Sequence, residues 1–181
     1  APHNLYADTE LVRQYVEDRG FYFNQYVQPL YDFGNDQTNW KIGANRITVK
    51  YSDFTTIVWK KDDENYSRFI VDGYTDSSDA VSHEFITLDG YTDILKAKTI
   101  VAIQGPLYKD EKTTLPSVLT VGVGPVYIFS EGKYIEGTWR RNDISDPFEF
   151  IDNDQQPIEV PPSKQWIHIM PLNGEVSFSD N

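Results

Sequence analysis

The chain has 181 residues, with 28 acidic side chains against 16 basic ones and a net charge of −12. That length fits one domain, and a chain of this size buries roughly 70% of its unfolded surface, enough for a core without covalent staples. The charge excludes the nucleic-acid backbone and anionic membrane surfaces as natural partners, and the absence of cysteine excludes disulfides, thiol nucleophiles and thiolate metal sites. The hydrophobic share is only 39%, but 12 Tyr, 10 Phe and 4 Trp bring large burial per residue. No apolar run approaches the ~20 residues of a membrane span. The chain starts at Ala1 without an initiator Met or a signal peptide, so a processed form or a piece of something longer is expected.

The first element is a helix. Asp8 or Thr9 can cap it, Glu10 suits its first turn, Leu11, Val12, Tyr15 and Val16 share a face, and Gly20 supplies the stop. An aromatic, irregular stretch follows, and residues 34–39 read as a loop. From Arg46 the periodicity changes to two. Ile47, Val49 and Tyr51 alternate with polar residues, Phe54 to Lys60 is rich in β-branched and aromatic side chains, and Tyr66 to Val71 follows a turn at 62–65. Together these three runs predict a meander.

Residues 72–93 are polar and acidic, with Phe85, Ile86 and Leu88 as anchors, and read as a long loop holding a short strand. Thr99 to Gln104 looks like a buried strand, and Tyr108 to Thr114 like a charged excursion. Ser117 to Phe129 is apolar, with Gly122 and Gly124 marking a bulge or a close backbone approach. Glu131-Gly132 turns the chain into Tyr134 to Arg140, and short strands are expected at 148–151, 158–160 and 166–170. The spacing of turn signals predicts a mainly-β or α+β fold, an antiparallel sheet or sandwich with one N-terminal helix.

The chain carries no serine elbow, phosphate loop, dinucleotide fingerprint or helical zinc motif, which leans against an enzyme. His3, His83 and His168 are far apart in sequence. His168 alternates with Ile167 and Ile169 and therefore reads as a solvent-facing or hydrogen-bond-network residue. Asp72, Asp76, Asp79 and Glu84 lack the ligand spacing of a calcium loop and read as a solvated turn, and Asp152-Asn153-Asp154 reads as Asx turns. No metal or cofactor is expected.

Two cationic positions are more pointed. Tyr66 and Arg68 fall on one face of an alternating strand, where an arginine can clamp an anion or lie over an aromatic surface. Trp139 with Arg140 and Arg141 is the second anion-site candidate, against local charge balance as its alternative.

Several segments in order resemble one family. Pro2-His3-Asn4-Leu5-Tyr6, the run Ala44 to Tyr51 with Ile57-Val58-Trp59 and Tyr66-Ser67-Arg68, the hairpin Gly132-Lys133 with Ile135 to Trp139, and the closing Trp166-Ile167 with Ile169 and Pro171 are similar to the YerB-like bacterial lipoproteins, domain of unknown function 3048. Asp152 to Gln156 and Pro162 to Trp166 lack glycines that the family pattern carries, which alters turns rather than chemistry. The resemblance implies an exported protein, lipid-anchored through an upstream segment, of which this chain would be the C-terminal half. It implies no activity, cofactor or catalytic residue.

The expected organisation is therefore a helical and irregular lead-in over 1–40, a β-rich domain over 41–172 and a tail over 173–181. The expected function is a non-enzymatic binding or scaffolding module at the bacterial envelope, engaging an envelope component or a protein partner. Its expected groove gathers His3, Asn4, Tyr66, Arg68, Trp139 and Arg140. Two alternatives stand beside it: a cell-wall polysaccharide hydrolase using a carboxylate pair, and a structural domain that self-assembles through strand edges.

Overall fold

The computed structural model describes residues 9–20, 28–73, 79–87, 89–111 and 114–180. One helix and sixteen strands succeed one another along them. After α1 (Thr9–Asp18) come β1 (Lys41–Ile42), β2 (Arg46–Ser52), β3 (Thr55–Asp62), β4 (Asn65–Asp72), β5 (Val81–Ser82), β6 (Glu84–Ile86), β7 (Thr92–Ile94) and β8 (Lys96–Ala97). The second half holds β9 (Thr99–Gly105), β10 (Leu107–Lys109), β11 (Pro116–Val118), β12 (Gly122–Ser130), β13 (Lys133–Arg141), β14 (Glu149–Asp152), β15 (Gln165–Pro171) and β16 (Glu175–Ser179).

The expected mainly-β architecture with an N-terminal helix is what forms. α1 is stopped by Gly20, which donates its N–H to the Glu17 carbonyl and takes a φ of 80° that turns the chain out of the helix. The helix buries none of its own residues, and Leu11 and Tyr15 are more than half exposed.

Two six-stranded sheets make the body. The central sheet runs β1-β13-β12-β9-β15 with β14 added to β13, and the second runs β16-β2-β3-β4-β5 with β8 added to β4. Pairing is antiparallel except between β9 and β15, which run parallel with Trp166 beside Ile100 and His168 beside Ala102. The meander expected at 46–71 is β2–β3–β4, with Trp59 directly opposite Arg68.

Every residue of β9 is buried because both faces of the central sheet are covered. Ile100 and Ala102 join Ile47, Val49, Ile57, Trp59, Tyr66, Phe129 and Met170 in a core between the two sheets. Val101 and Ile103 turn the other way, into a core with Trp139, Phe148, Phe150, Val160, Tyr31 and Trp40. Residues 31–40 thus contribute to the β body, Tyr31 bridging to Phe148 and Phe33 to Val160.

Sequence and structure differ in four places. The apolar run 117–129 splits into β11 and β12, since Gly122 has φ 124° and the chain changes partners there. Residues 158–160 form bridges rather than a strand; Pro157, Pro161 and Pro162 withhold ladder donors. The tail contains β16, an edge strand of the second sheet whose Val176 and Phe178 point into the core between the sheets while Glu175, Ser177 and Ser179 face out. The charged excursion near Tyr108 is a two-stranded ribbon, β10–β11, which pairs with neither large sheet.

The expected close approach at Gly124 is real: a Cβ there would lie 2.3 Å from the Gln104 carbonyl oxygen and 2.7 Å from Trp139 Nε1. Only a glycine lets the Trp139 indole lie flat across β12 and donate to the Gln104 carbonyl at 2.7 Å.

Candidate functional site

Where β4 faces β15 across the inter-sheet core, the packing turns polar. The main chain sets this up. Arg68 N–H donates to the Leu95 carbonyl, His83 N–H donates to the Arg68 carbonyl, and Leu95 N–H donates to the His83 carbonyl. This three-way junction closes the outer edge of β4 between β5 and β8 and fixes His83 beside Arg68. On β2, the ladder slips between Lys50 and Ser52, and the bulge re-aims Tyr51.

The side chains converge from four elements. Trp59 Nε1–H donates to His168 Nε2 at 2.8 Å, and Tyr51 Oη lies 2.6 Å from His168 Nδ1. Arg68 sits with its Cζ 4.8 Å from the centre of the Trp166 ring and 5.9 Å from that of Trp59. Its Nη1 bonds His83 Nδ1. Each such cation–π contact contributes about 0.5–2 kcal/mol, more as water is excluded.

Burial sets the protonation states. His168 is 1% exposed and lies within reach of the Arg68 charge; burial first and that charge second hold its pKa down at about 3. It is therefore a neutral imidazole near neutral pH. An indole N–H can only donate, so His168 Nε2 must accept and Nδ1 must carry the proton. Nδ1–H consequently donates to Tyr51 Oη. Burial lifts Tyr51 to about 12, with the Arg68 charge opposing, so its hydroxyl keeps its own proton. His83, which accepts from Arg68 at Nδ1, is pushed down by burial and then by the same guanidinium.

Arg68 is 9% exposed, and its Nε has no hydrogen-bond partner among the described residues. Burial lowers its pKa, yet a guanidinium stays charged. No carboxylate among the described residues pairs with it; the ion pairs formed there belong to Lys50, Lys96 and Lys98. A buried cation with an unused donor is costly, by several kcal/mol, when nothing accepts from it. The same fixed charge stands beside both described histidines and opposes a metal cation there. Among the described residues no group of three or more His, Asp or Glu side chains is placed to hold a metal.

A separate cleft lies at the edge of the outer core. It measures about 350 Å³, is lined by Asp36, Asn39, Trp40, Asp152, Gln156 and Glu159 among others, and adjoins one that reaches Glu136 and Asp154. Two of its acids are committed to turns. Asp152 Oδ1 accepts from the Asp154 and Gln156 N–H groups, as the Asx reading expected, and Asp36 Oδ1 accepts from the Thr38 N–H and hydroxyl.

Relatives place this geometry in a family. The description "Protein of unknown function (DUF3048) C-terminal domain" matches residues 46–167, about two thirds of the chain. The chain belongs to the DUF3048 family. Its fold is similar to the crystal structure of YerB protein from Bacillus subtilis, with a TM-score of 0.69 at 16% identity, covering 97% of this chain and 56% of that one. This DUF3048 chain therefore spans about half the length of the structure it resembles, and at that identity the likeness concerns the fold alone. No curated protein matches the chain significantly.

Within this DUF3048 domain, the six residues singled out from sequence fall in different places. His3 and Asn4 lie outside the described residues. Tyr66 and Arg68 do share a face of β4, but Tyr66 is wholly buried, donating to the Ala44 carbonyl and accepting from Gly132 N–H, both at 2.9 Å. It ties the β12–β13 turn to the second sheet. Trp139 belongs to the outer core, on the opposite face of the central sheet. Arg140 is exposed on β13, reaching Gln155 Oε1 at 3.5 Å, and β13 is three strands from β15. Arg141 lies over Phe148 and bonds the Ile144 and Asp146 carbonyls.

His168 is the network residue that its alternation allowed, with Ile167 against the outer core and Ile169 45% exposed. In the acidic segment, Asp76 lies outside the described residues, while exposed Glu84 accepts from the Ser82 hydroxyl. Tyr51, Trp59 and Trp166 were missed as site residues. For Trp166 the signal was available as Trp166-Ile167-His168, two polar-tipped rings two apart on an apolar strand.

Proposed function

We propose that this domain is a non-enzymatic binding module of the bacterial envelope, working outside the cytoplasm in a protein anchored through an upstream lipid, and that it holds its ligand at Arg68. The observation that carries the reading is the locked network around that arginine. His168 accepts from Trp59 and donates to Tyr51, and burial holds its pKa near 3. General acid–base catalysis wants a group that titrates near the working pH. This imidazole and this phenol, at about 3 and about 12, both sit far from it and hold position instead of passing protons. Rigid aromatic walls around a fixed charge suit recognition. The extracytoplasmic placement draws its support from the sequence resemblance.

The test is co-sedimentation of the purified domain with isolated bacterial envelopes, with release of reducing ends followed in the same samples. The expected result is saturable pelleting that weakens on Arg68→Lys, with no new reducing ends. Release of reducing ends, or an unbound domain, overturns the reading.

A further inference from the structure

The donors around His168 do not balance their acceptors. Trp59 Nε1–H consumes His168 Nε2, so His168 Nδ1–H consumes a lone pair of Tyr51 Oη. That leaves the Tyr51 hydroxyl proton with no acceptor among the described residues. Arg68 Nε–H, 91% buried with the rest of its side chain, has no acceptor either. The two groups interact electrostatically, so both unclaimed protons lie in one neighbourhood. Buried donors are almost always matched. A chain with 28 carboxylates that nevertheless leaves its most buried guanidinium without one among its described residues has reserved that position.

We infer that Arg68 and Tyr51 form a receptor for the carboxylate group of a ligand, with Arg68 Nε–H and Tyr51 O–H as its donors and Trp59 and Trp166 as its walls. This deepens the binding role proposed above and rests on it for the biological setting only. Nη1 is taken by His83, so the acceptor must use the Nε side of the fork, where a planar group can lie along the guanidinium edge. The net charge of −12 sets the charge of the ligand: it repels a multiply charged phosphate polymer more than a single carboxylate. Tyr51, His83 and Trp166, each half-buried, are the partly exposed side chains beside the guanidinium.

The experiment titrates the whole domain at pH 7 and constant ionic strength with sodium acetate, inorganic phosphate or chloride. It reads tryptophan fluorescence, since two of the four indoles flank the site, and the Arg68 Nε–H resonance. Acetate should saturate and shift that resonance, while chloride should not. N-acetylalanine against its amide separates a chain-end carboxylate from a free small acid. Arg68→Lys keeps the charge and loses the fork, and should weaken acetate by about tenfold or more. Tyr51→Phe should weaken it several-fold, and Lys109→Gln, on the β10–β11 ribbon, controls for net charge. If the lysine variant fails to fold, the wild-type resonance and the Tyr51 variant still decide.

An acetate response no larger than chloride, or undiminished in both variants, overturns the receptor. Phosphate binding more tightly than acetate overturns the carboxylate assignment. Acetate binding in a domain that ignores envelopes would sink the envelope role and leave the receptor standing; envelope binding without any acetate response would do the reverse.

Discussion

The two faces of the central sheet are built from the same strands and end in different chemistry. On the outer face, Val101, Ile103, Ile128 and Trp139 meet Phe148, Phe150 and Val160, and the Trp139 indole N–H is satisfied by the Gln104 carbonyl. On the inner face, Ile100, Ala102 and Met170 continue an ordinary apolar core until β15 brings Trp166 and His168 against Tyr51, Trp59 and Arg68. Among the described residues, the outer core leaves no buried side-chain polar atom unmatched. Among the described residues, the inner one is matched except at Arg68 Nε–H and the Tyr51 hydroxyl proton. The contrast teaches that the unmatched donors are local: alternation along β9 and β15 serves both faces equally, so what distinguishes them is the set of residues that β2, β3 and β4 present.

The sharpest way to break this contrast is to damage the closed side. Trp139→Ala removes a wholly buried indole and opens a cavity against Phe148, whose ring centre is 5.6 Å away. The expected loss is about 3–5 kcal/mol in denaturant unfolding, with acetate affinity of the folded fraction unchanged. If acetate affinity fell in proportion to stability, the two faces would not be independent.

The next largest effect is a pH dependence that belongs to the inner face. The pKa of His168 is about 3 in the folded chain against 6.5 when unfolded. Above pH 6.5 neither state binds that proton, and the full stability is present. As the pH falls below 6.5 the unfolded chain takes up the proton and the folded chain does not, so stability declines by up to about 1.4 kcal/mol per unit until the folded value is reached. At pH 4.5 this amounts to roughly 2–3 kcal/mol. His168→Gln can accept from Trp59 and donate to Tyr51 without titrating, so its stability should fall less steeply between pH 7 and 4.5. Parallel curves for the two proteins would contradict a neutral buried imidazole.

How far the chain could be read in advance follows the same division. β2, β3, β4, β9 and β13 were legible because alternation and β-branched runs are local signals, and so was the Asx turn at Asp152. The parallel pairing of β15 with β9 was not. Trp59 and His168 are 109 residues apart, and no local pattern states that β15 will bring them together. Arg68 and His168 were each recognisable as unusual, but the partner each would meet depended on sheet order. Tyr51 was hidden further still, since its direction depends on a bulge that shifts the register by one residue. β16 was missed although Val176 and Phe178 alternate, because five residues at a chain end are a short sample of that pattern.

A smaller effect tests the bolt between the sheets. Tyr66→Phe keeps the buried ring and strips the hydroxyl that joins the Ala44 carbonyl to Gly132 N–H. The expected cost is on the order of 1–2 kcal/mol, read in thermal or chemical unfolding, because two buried backbone groups lose their partner. Unchanged stability would mean that water or a shifted strand replaces the hydroxyl. Acetate binding at Arg68, two residues along the same face, should survive.

The smallest effect separates the two arginines that looked alike in sequence. Arg68, two residues after Tyr66, and Arg140, next to Trp139, both sit near an aromatic residue on an alternating strand, yet one is enclosed by indoles and the other is exposed, with a 3.5 Å contact to Gln155 as its polar partner. Arg140→Gln should change unfolding free energy by less than about 0.5 kcal/mol, the usual range for a surface position. A larger loss would give Arg140 a structural part that its exposure does not suggest. A loss of acetate response in this variant would be more damaging, because it would move the anion site from the inner core to the far strand of the central sheet. The charge removed is the same in Arg140→Gln as in Lys109→Gln, so any difference between those two variants measures position and not net charge.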